Sequence, residues 1–219
     1  MRRRPIDILF AILVILFIPV FCISAAALIP CVFRPFYYVS MDLLKIPETS
    51  GYSPEVVREA YDDVMDYIWF GGPFCTGELA FSPDGEAHFA DCVPLFRLQP
   101  ILFGVSLFVI LLYAFLRRKE ILRPLSFRFP SPLTLGGGLS AASIFAVGIF
   151  ALVDFGTLFK VFHMIAFPGK DNWLFDPATD EIIKILPESF FLVCAVFIVG
   201  VALLLSGAAI LAGILRRRR

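Results

Sequence analysis

Four stretches of the chain are almost wholly apolar, and more polar segments separate them. The apolar stretches cover about residues 8–33, 100–116, 133–153 and 190–215. A helix of roughly 20 apolar residues crosses the hydrocarbon layer of a bilayer, and the first stretch is longer than the apolar core of about 7–15 residues in a signal peptide. The pattern therefore predicts an all-α integral membrane protein, with four transmembrane helices in a single membrane domain over residues 1–219.

The two longer polar segments, residues 34–99 and 154–189, are predicted to form a small α-rich cap of two outer loops. In the first loop, Ser53-Pro54 is typical of a helix start, because serine caps a helix and proline suits its first position. Apolar side chains then recur at helical spacing to about Trp69.

Composition agrees with a membrane protein and excludes some partners. Hydrophobic residues make up 59% of the chain, and the mean hydropathy is +0.85, whereas soluble domains are about 45–50% apolar. The formal net charge is zero. The basic clusters stand at predicted membrane edges and not on a folded basic face, so a nucleic-acid partner is not expected.

The distribution of basic residues predicts the topology. Of the 19 lysines and arginines, 12 fall in the two terminal segments and in residues 117–128. Basic residues favour the cytoplasmic side, so both termini are predicted to be cytoplasmic and both longer loops to be extracytoplasmic. The chain is thus expected to be a multi-pass protein of a cell membrane. In an extracytoplasmic loop Cys75 and Cys92 could form a disulfide, and this pairing stays open.

The chain has two histidines, and each falls in a predicted outer loop. Asp91 follows His88 at a spacing that shares one helical face, and His163 precedes Asp171 and Asp176. A nearby carboxylate fixes the tautomer of an imidazole. A single histidine at a membrane edge is more often an interfacial side chain with a wet tip. Two histidines on the same side of the membrane favour a shared site for acid/base chemistry.

Two other functions remain open on the residues alone. A metal-dependent membrane hydrolase would use His88, Asp91, His163 and Asp176 as ligands, since these residue types suit zinc. A non-enzymatic membrane scaffold would use the outer loops to bind a partner. The chain has no glycine-rich phosphate loop, nucleophile elbow or HExxH motif.

Motifs in both loops resemble those of a known family. In the second loop they are Phe162-His163, Phe167-Pro168-Gly169, Asn172-Trp173-Leu174-Phe175-Asp176-Pro177, Asp180, Ile182-Ile183 and Leu186-Pro187-Glu188-Ser189-Phe190-Phe191. In the first loop they are Phe81-Ser82, Asp84-Gly85 and His88-Phe89-Ala90-Asp91-Cys92. Together they resemble a family of four-span bacterial membrane proteins that includes the lipoprotein intramolecular transacylases. This chain departs from the family pattern at Phe89 and Cys92, which replace Met and Val.

The resemblance implies a reaction on a bacterial lipoprotein whose N-terminal cysteine carries a diacylglyceryl thioether. An acyl chain would move from the glyceryl ester to the α-amino group of that cysteine, giving a lyso-form lipoprotein in the cell membrane. No ATP or cofactor is expected, because the change from ester to amide is downhill. The partners would be the lipoprotein and membrane lipid, and the oligomeric state is left open.

The resemblance and this chemistry together assign expected roles. The acid/base pair would be His88 and His163. Groups expected to orient the histidines or stabilise the developing charge are Asp91, Asp176, Asn172, Arg97 and Lys184. Side chains expected to contact the substrate are Trp173, Phe167 and Phe89. The apolar face of the amphipathic helix from Pro54, together with the Phe-rich edges, would hold acyl chains at the outer leaflet of the membrane. No metal ligand is expected under this interpretation.

Overall fold

The structure, a computed structural model, describes residues 4–124 and 130–218. Within these ranges the chain forms helices and no strand. The helices are α1 (Pro5–Val32), α2 (Pro35–Leu43), α3 (Ile46–Ser50), α4 (Pro54–Phe70), α5 (Pro83–Arg118), α6 (Pro132–Val153), α7 (Phe155–Ala166), α8 (Ile182–Ile185) and α9 (Glu188–Arg218). Four members of the basic clusters behind the topology prediction lie outside the described residues: Arg2, Arg3, Arg128 and Arg219.

Four of these helices, α1, α5, α6 and α9, are long and apolar enough to cross a membrane. This confirms the predicted fold class, an all-α integral membrane protein with four transmembrane helices. α5 differs from expectation because it begins at Pro83, well before residue 100. Its start carries a cap that the sequence analysis did not use, since the Ser82 hydroxyl accepts a hydrogen bond from Gly85 N at 3.0 Å. His88 therefore stands on the same continuous helix as the second apolar stretch.

The chain divides into two compact units. One consists of Met1–Ala27, Pro100–Ile149 and Val196–Arg219. Small residues let its helices approach closely: a Cβ added at Gly136 would lie 2.9 Å from Ile18 Cδ1, and one at Gly137 would lie 2.8 Å from Ser206 O. Close approach of helices at small residues such as these glycines is a common basis of helix packing in membranes.

The other unit consists of Leu28–Gln99 and Phe150–Ala195. α4 forms as predicted, with the Ser53 hydroxyl accepting from Val56 N and with Gly71 at a φ of 79° beyond its end. Its apolar face is at most 4% exposed and packs into the core of this unit. The expectation that this face holds acyl chains is therefore wrong, because the core already covers it.

Helices distant in sequence meet around Tyr37 of α2. Its ring stacks on that of Tyr61 at a centroid distance of 3.8 Å, and its hydroxyl donates to Ile185 O at 2.7 Å. These contacts join α2, α4 and α8 in one buried cluster. The second long loop is thereby fixed against the first at the end that holds α8.

A buried carboxylate fixes the second loop to the start of α5. Asp180 is 4% exposed and accepts hydrogen bonds from Ser82 N at 2.8 Å and from the Ser82 hydroxyl at 2.9 Å. Gly85 lies so close that an added Cβ would overlap Asp180 Oδ1. The position therefore requires glycine for space, and a larger side chain would push the two segments apart.

We expect Gly85→Ala to lower the unfolding temperature in detergent, because overpacking a tight contact costs about 1–3 kcal/mol. Gly104→Ala is the matched control in the same helix, since a Cβ there has no neighbour within 4 Å. The control should keep or slightly raise the unfolding temperature, because alanine favours a helix over glycine. Equal unfolding temperatures for the two variants would contradict the tight contact.

Candidate active site

The two histidines of the chain lie side by side. The ring centroids of His88 on α5 and His163 on α7 are 5.8 Å apart, and each residue is 7% exposed. A single reacting group of small size would contact both rings at this separation. Each of the two long loops thus contributes one histidine to a single buried site.

Local sequence explains how α7 presents His163. Asp154 caps the helix by accepting from Thr157 N at 2.9 Å. In the last turns, His163 is buried while Phe162, Met164 and Ile165 are exposed. The helix therefore turns its histidine toward the folded unit and leaves apolar side chains on its surface, as suits a helix near lipid.

Aromatic rings enclose both imidazoles. His88 lies 4.9 Å from Phe167, 5.3 Å from Phe175 and 5.8 Å from Phe89 between ring centroids. The Trp173 ring stacks on His163 at 4.7 Å with an interplanar angle of 28°. Of the three side chains expected to contact the substrate, all lie against a histidine, and Phe175 is an addition that sequence analysis missed.

The hydrogen bond of His163 fixes its tautomer. Its Nδ1 lies 2.7 Å from Phe159 O. A carbonyl oxygen only accepts, so Nδ1 carries the proton and Nε2 keeps its lone pair. Burial lowers the pKa of the His163 imidazole, and the Phe159 carbonyl opposes this in part. His163 is therefore held neutral with an accepting Nε2, which is the form that a general base needs.

His88 is held differently. Its Nε2 lies 3.5 Å from the sulfur of Cys92, one helical turn along α5. Its Nδ1 is buried and has no hydrogen-bond partner among the described residues. An unpaired buried polar atom lowers the free energy of unfolding by about 1–3 kcal/mol, so this nitrogen is a candidate contact for a bound molecule. Cys75 and Cys92 are both free, so the disulfide left open by the sequence does not form.

Asp91 joins α5 to the second loop. Lys170 Nζ pairs with Asp91 Oδ1, and Asn172 Nδ2 donates to Asp91 Oδ2 at 3.1 Å. Its carboxylate thus holds the segment after His163 in place, rather than bonding to His88 as expected. Lys170 was missed by sequence analysis, although it is a basic residue close behind the second histidine. The Oδ1 of Asn172 is buried without a partner among the described residues.

Three other predicted residues lie elsewhere. Asp176 Oδ1 accepts from Ala178 N at 2.9 Å within a turn. Arg97 Nε donates to Ile68 O at 3.0 Å near the end of α4, and Lys184 pairs with Glu181 at 2.8 Å. None of these side chains bonds to a histidine as predicted, and of the three only Asp176 lines the neighbouring cavity.

The ligand set of the hydrolase hypothesis is not assembled either. Asp91 is bound to Lys170 and Asn172, and Asp176 caps its own turn. Within residues 4–124 and 130–218, no group of three or more ligating side chains has the geometry of a metal site.

A polar cavity of about 360 Å³ adjoins the aromatic walls. Phe175, whose ring contacts His88, and Asn172, which bonds to Asp91, both line it. Carboxylate and hydroxyl groups form much of the remaining wall, including Asp176 and Asp180. Neither histidine lines this cavity, which borders the histidine pair through Phe175.

We expect Asp91→Ala to loosen the segment from Gly169 to Trp173, because both side-chain bonds that hold it are lost. Amide hydrogen exchange in this segment should become faster by at least several-fold. Asp171→Ala is the control, since this exposed neighbouring carboxylate makes no such bond to α5 in the part of the chain that the structure describes. An equal effect of both changes would show that loss of charge, and not the bonds of Asp91, matters.

Comparison with known proteins identifies a family and a set of similar solved structures. The family model described as lipoprotein intramolecular transacylase Lit matches residues 12–191 of this chain. The matched range includes both histidines. No curated protein matches the chain.

Solved structures of the membrane integral lipoprotein intramolecular transacylase Lit from Bacillus cereus are similar to this chain. One has a TM-score of 0.82 at 23% identity, covering 93% of this chain and 92% of that one. A variant of that protein with a histidine replaced by arginine has a TM-score of 0.77 at 22% identity, covering 97% and 94%. A further variant with a histidine replaced by alanine has the same TM-score and identity. At this identity the similarity shows a common fold.

Proposed function

Because the chain belongs to the lipoprotein intramolecular transacylase family, we propose that His88 and His163 carry out its reaction as one acid/base site. The protein is a membrane acyltransferase that acts on lipoproteins. An acyl chain passes from the diacylglyceryl group of an N-terminal cysteine to the α-amino group of the same cysteine. The observation that carries the proposal is the pair of buried imidazoles 5.8 Å apart, one with an accepting Nε2.

The nucleophile in this reaction belongs to the substrate, so the protein needs no serine or cysteine of its own. An α-amine has a pKa of about 7.7–8.0 and is largely protonated at neutral pH. The amine and the ester are already in one molecule, and correct orientation of such a pair supplies roughly 7–11 kcal/mol of the barrier. The neutral fraction of the amine, whose extra proton has gone to solvent, is the form that attacks. The protein must then orient the two groups and move one proton from the amine to the glyceryl oxygen.

His163 moves that proton. When the neutral amine attacks the ester carbonyl, its nitrogen becomes positively charged and gives a proton to His163 Nε2. The tetrahedral intermediate then breaks its bond to the glyceryl oxygen, and the imidazolium returns the proton to that oxygen. One amide bond forms, one ester bond breaks, and His163 is again neutral.

His88 stabilises the oxyanion of the intermediate. Its Nδ1 is buried and lacks a partner among the described residues, so an N–H at this atom is free to meet the oxygen. A donor aimed at the developing charge in a site without water typically contributes about 10²–10³ in rate. The expected acid/base pair thus becomes a proton carrier and a hydrogen-bond donor.

The surroundings favour aminolysis over hydrolysis. The rings of Phe167, Phe175 and Trp173 enclose the imidazoles and leave little room for water. The acyl chains remain in membrane lipid, and the adjoining polar cavity takes the start of the lipoprotein peptide. This arrangement keeps a water molecule from replacing the amine as the nucleophile.

The proposal includes an orientation in the cell membrane. Lipoproteins carry their acylated cysteine at the extracytoplasmic surface, so both long loops face that side and both termini are cytoplasmic. The distribution of basic residues supports this, with 12 of 19 in the segments assigned to the cytoplasm.

The proposal is tested on the N-terminal lipopeptide of a lipoprotein. The chain is expressed in a host that lacks its own N-acylating enzyme, and fragmentation mass spectrometry locates each acyl chain. The unchanged chain should yield an N-acylated lyso-form. His163→Gln should lower the rate of transfer by about 10²–10⁴, because an amide does not accept the proton.

A second substitution separates the two roles. His88→Asn keeps an N–H donor near the position of Nδ1, whereas His88→Ala removes it. We expect His88→Ala to lower the rate by about 10²–10³ and His88→Asn to recover part of this loss. A lipopeptide with a free amine in every case, or full transfer without either histidine, would contradict the proposal.

The orientation predicts where a terminal tag is found. Fused after Arg219, a reporter enzyme that works only in the cytoplasm should be active. Inserted at Gly72, in the exposed turn after α4, a reporter enzyme that works only outside the cytoplasmic membrane should be active. A C-terminal reporter that is active outside would reverse the topology and remove the histidines from the side where the substrate lies.

A further inference from the structure

Cys92 stands beside the histidine that we assign to the oxyanion. It follows His88 by four positions on α5, and its sulfur lies 3.5 Å from His88 Nε2. Side chains at this spacing share one face of a helix. The thiol is half-buried and forms no disulfide, so it is available as a hydrogen-bonding group.

The geometry leaves His88 with two unequal nitrogens. Nε2 faces the sulfur of Cys92, while Nδ1 is buried without a partner among the described residues. Phe167 and Phe175 meet the imidazole at steep interplanar angles of 71° and 81°. These rings offer no lone pair and no strong donor, so the thiol is the polar group that distinguishes one nitrogen from the other.

We propose that Cys92 is a positioning residue that selects the tautomer of His88. Its S–H donates to Nε2, so that the ring proton resides on Nδ1 and points toward the reacting ester. This inference rests on the proposed function, since it concerns the donor assigned to the oxyanion.

The direction of this hydrogen bond follows from the atoms. Thiol sulfur is a weak acceptor, whereas the lone pair of a neutral imidazole is a good one. The opposite tautomer would leave a bare Nδ1 lone pair facing the oxyanion, which that lone pair would repel. His163 Nε2 already supplies the lone pair that the reaction needs. A proton on Nδ1 of His88 therefore completes the site with one acceptor and one donor.

The experiment compares three variants of the full-length protein in lipid nanodiscs, with a synthetic diacylglyceryl lipopeptide as substrate. Cys92→Val keeps the size of the side chain and removes the donor. Cys92→Ser keeps a donor. Cys75→Ser changes an exposed cysteine elsewhere in the first loop and serves as the control.

We expect Cys92→Val to lower kcat roughly three- to tenfold with little change in KM, which is the usual net effect of one hydrogen bond. Cys92→Ser should recover most of this loss, and Cys75→Ser should match the unchanged protein. A wild-type kcat for Cys92→Val, or an equal loss for the valine and serine variants, would overturn the proposal, since neither fits a role for the donor.

Nitrogen-15 NMR of labelled histidine gives a readout independent of turnover. The unchanged protein should show His88 with a proton on Nδ1, and Cys92→Val should shift the population toward the Nε2 tautomer. A proton on Nε2 in the unchanged protein would overturn the proposal. This readout also separates the two claims, because it decides the role of Cys92 even if the purified protein transfers no acyl chain.

A covalent role for Cys92 would give a different result. If the thiol itself received the acyl chain, hydroxylamine would release that chain from the protein, and Cys92→Ser would be inactive or trap the acyl group as an ester. Either finding would replace the positioning role by a nucleophilic one. Folding of every variant is checked by its unfolding temperature, with the Cys75→Ser protein as reference.

Discussion

The site depends on the attachment of the second long loop to the first turns of α5. Asp180 is buried and accepts both the backbone N–H and the hydroxyl of Ser82, and a glycine at position 85 lets the two segments approach. Two turns further along, Asp91 holds Lys170 and Asn172. Hydrogen bonds to ionised carboxylates are among the stronger ones in proteins, so these two contacts fix where the segment after His163 lies relative to His88.

Given this attachment, the chemistry follows from how each imidazole is held. A backbone carbonyl fixes the proton of His163 on Nδ1, and a thiol faces Nε2 of His88. The aromatic rings around them remove water and leave the nitrogens few partners. The protein therefore supplies little reactive chemistry of its own. It presents one lone pair and one N–H to a substrate that already contains both the nucleophile and the ester.

Hydrophobic patterning was sufficient for the fold class, because apolar stretches of membrane-spanning length leave few alternatives. The start of α5 was missed, since Pro100 suits the first position of a helix and local sequence gives no sign that the helix already runs through it. The apolar face of α4 was assigned to lipid, because periodicity reports burial without saying what covers a face. In that case the core of the same unit covers it.

Prediction of the site from sequence met the same limit. Both histidines, Trp173, Phe167 and Phe89 were found from motifs, and the structure places all of them together. Arg97 and Lys184 were placed by charge alone, and Asp91 by its spacing from His88. Charge and spacing identify what a side chain can do but not its partner. Arg97 bonds to carbonyls at the end of α4, and Asp91 bonds to the second loop. Such tertiary partners depend on how distant segments meet, and local spacing does not contain that information.

The most direct test of the central claim is a double-mutant cycle on the two histidines. Transfer rates are measured for His88→Ala, His163→Ala and the double variant with the same lipopeptide. If both side chains act on one transition state, their effects are not additive, and the double variant should be little slower than His163→Ala alone. If the two losses multiply, the histidines act independently, and the account of a single site built from both loops is wrong.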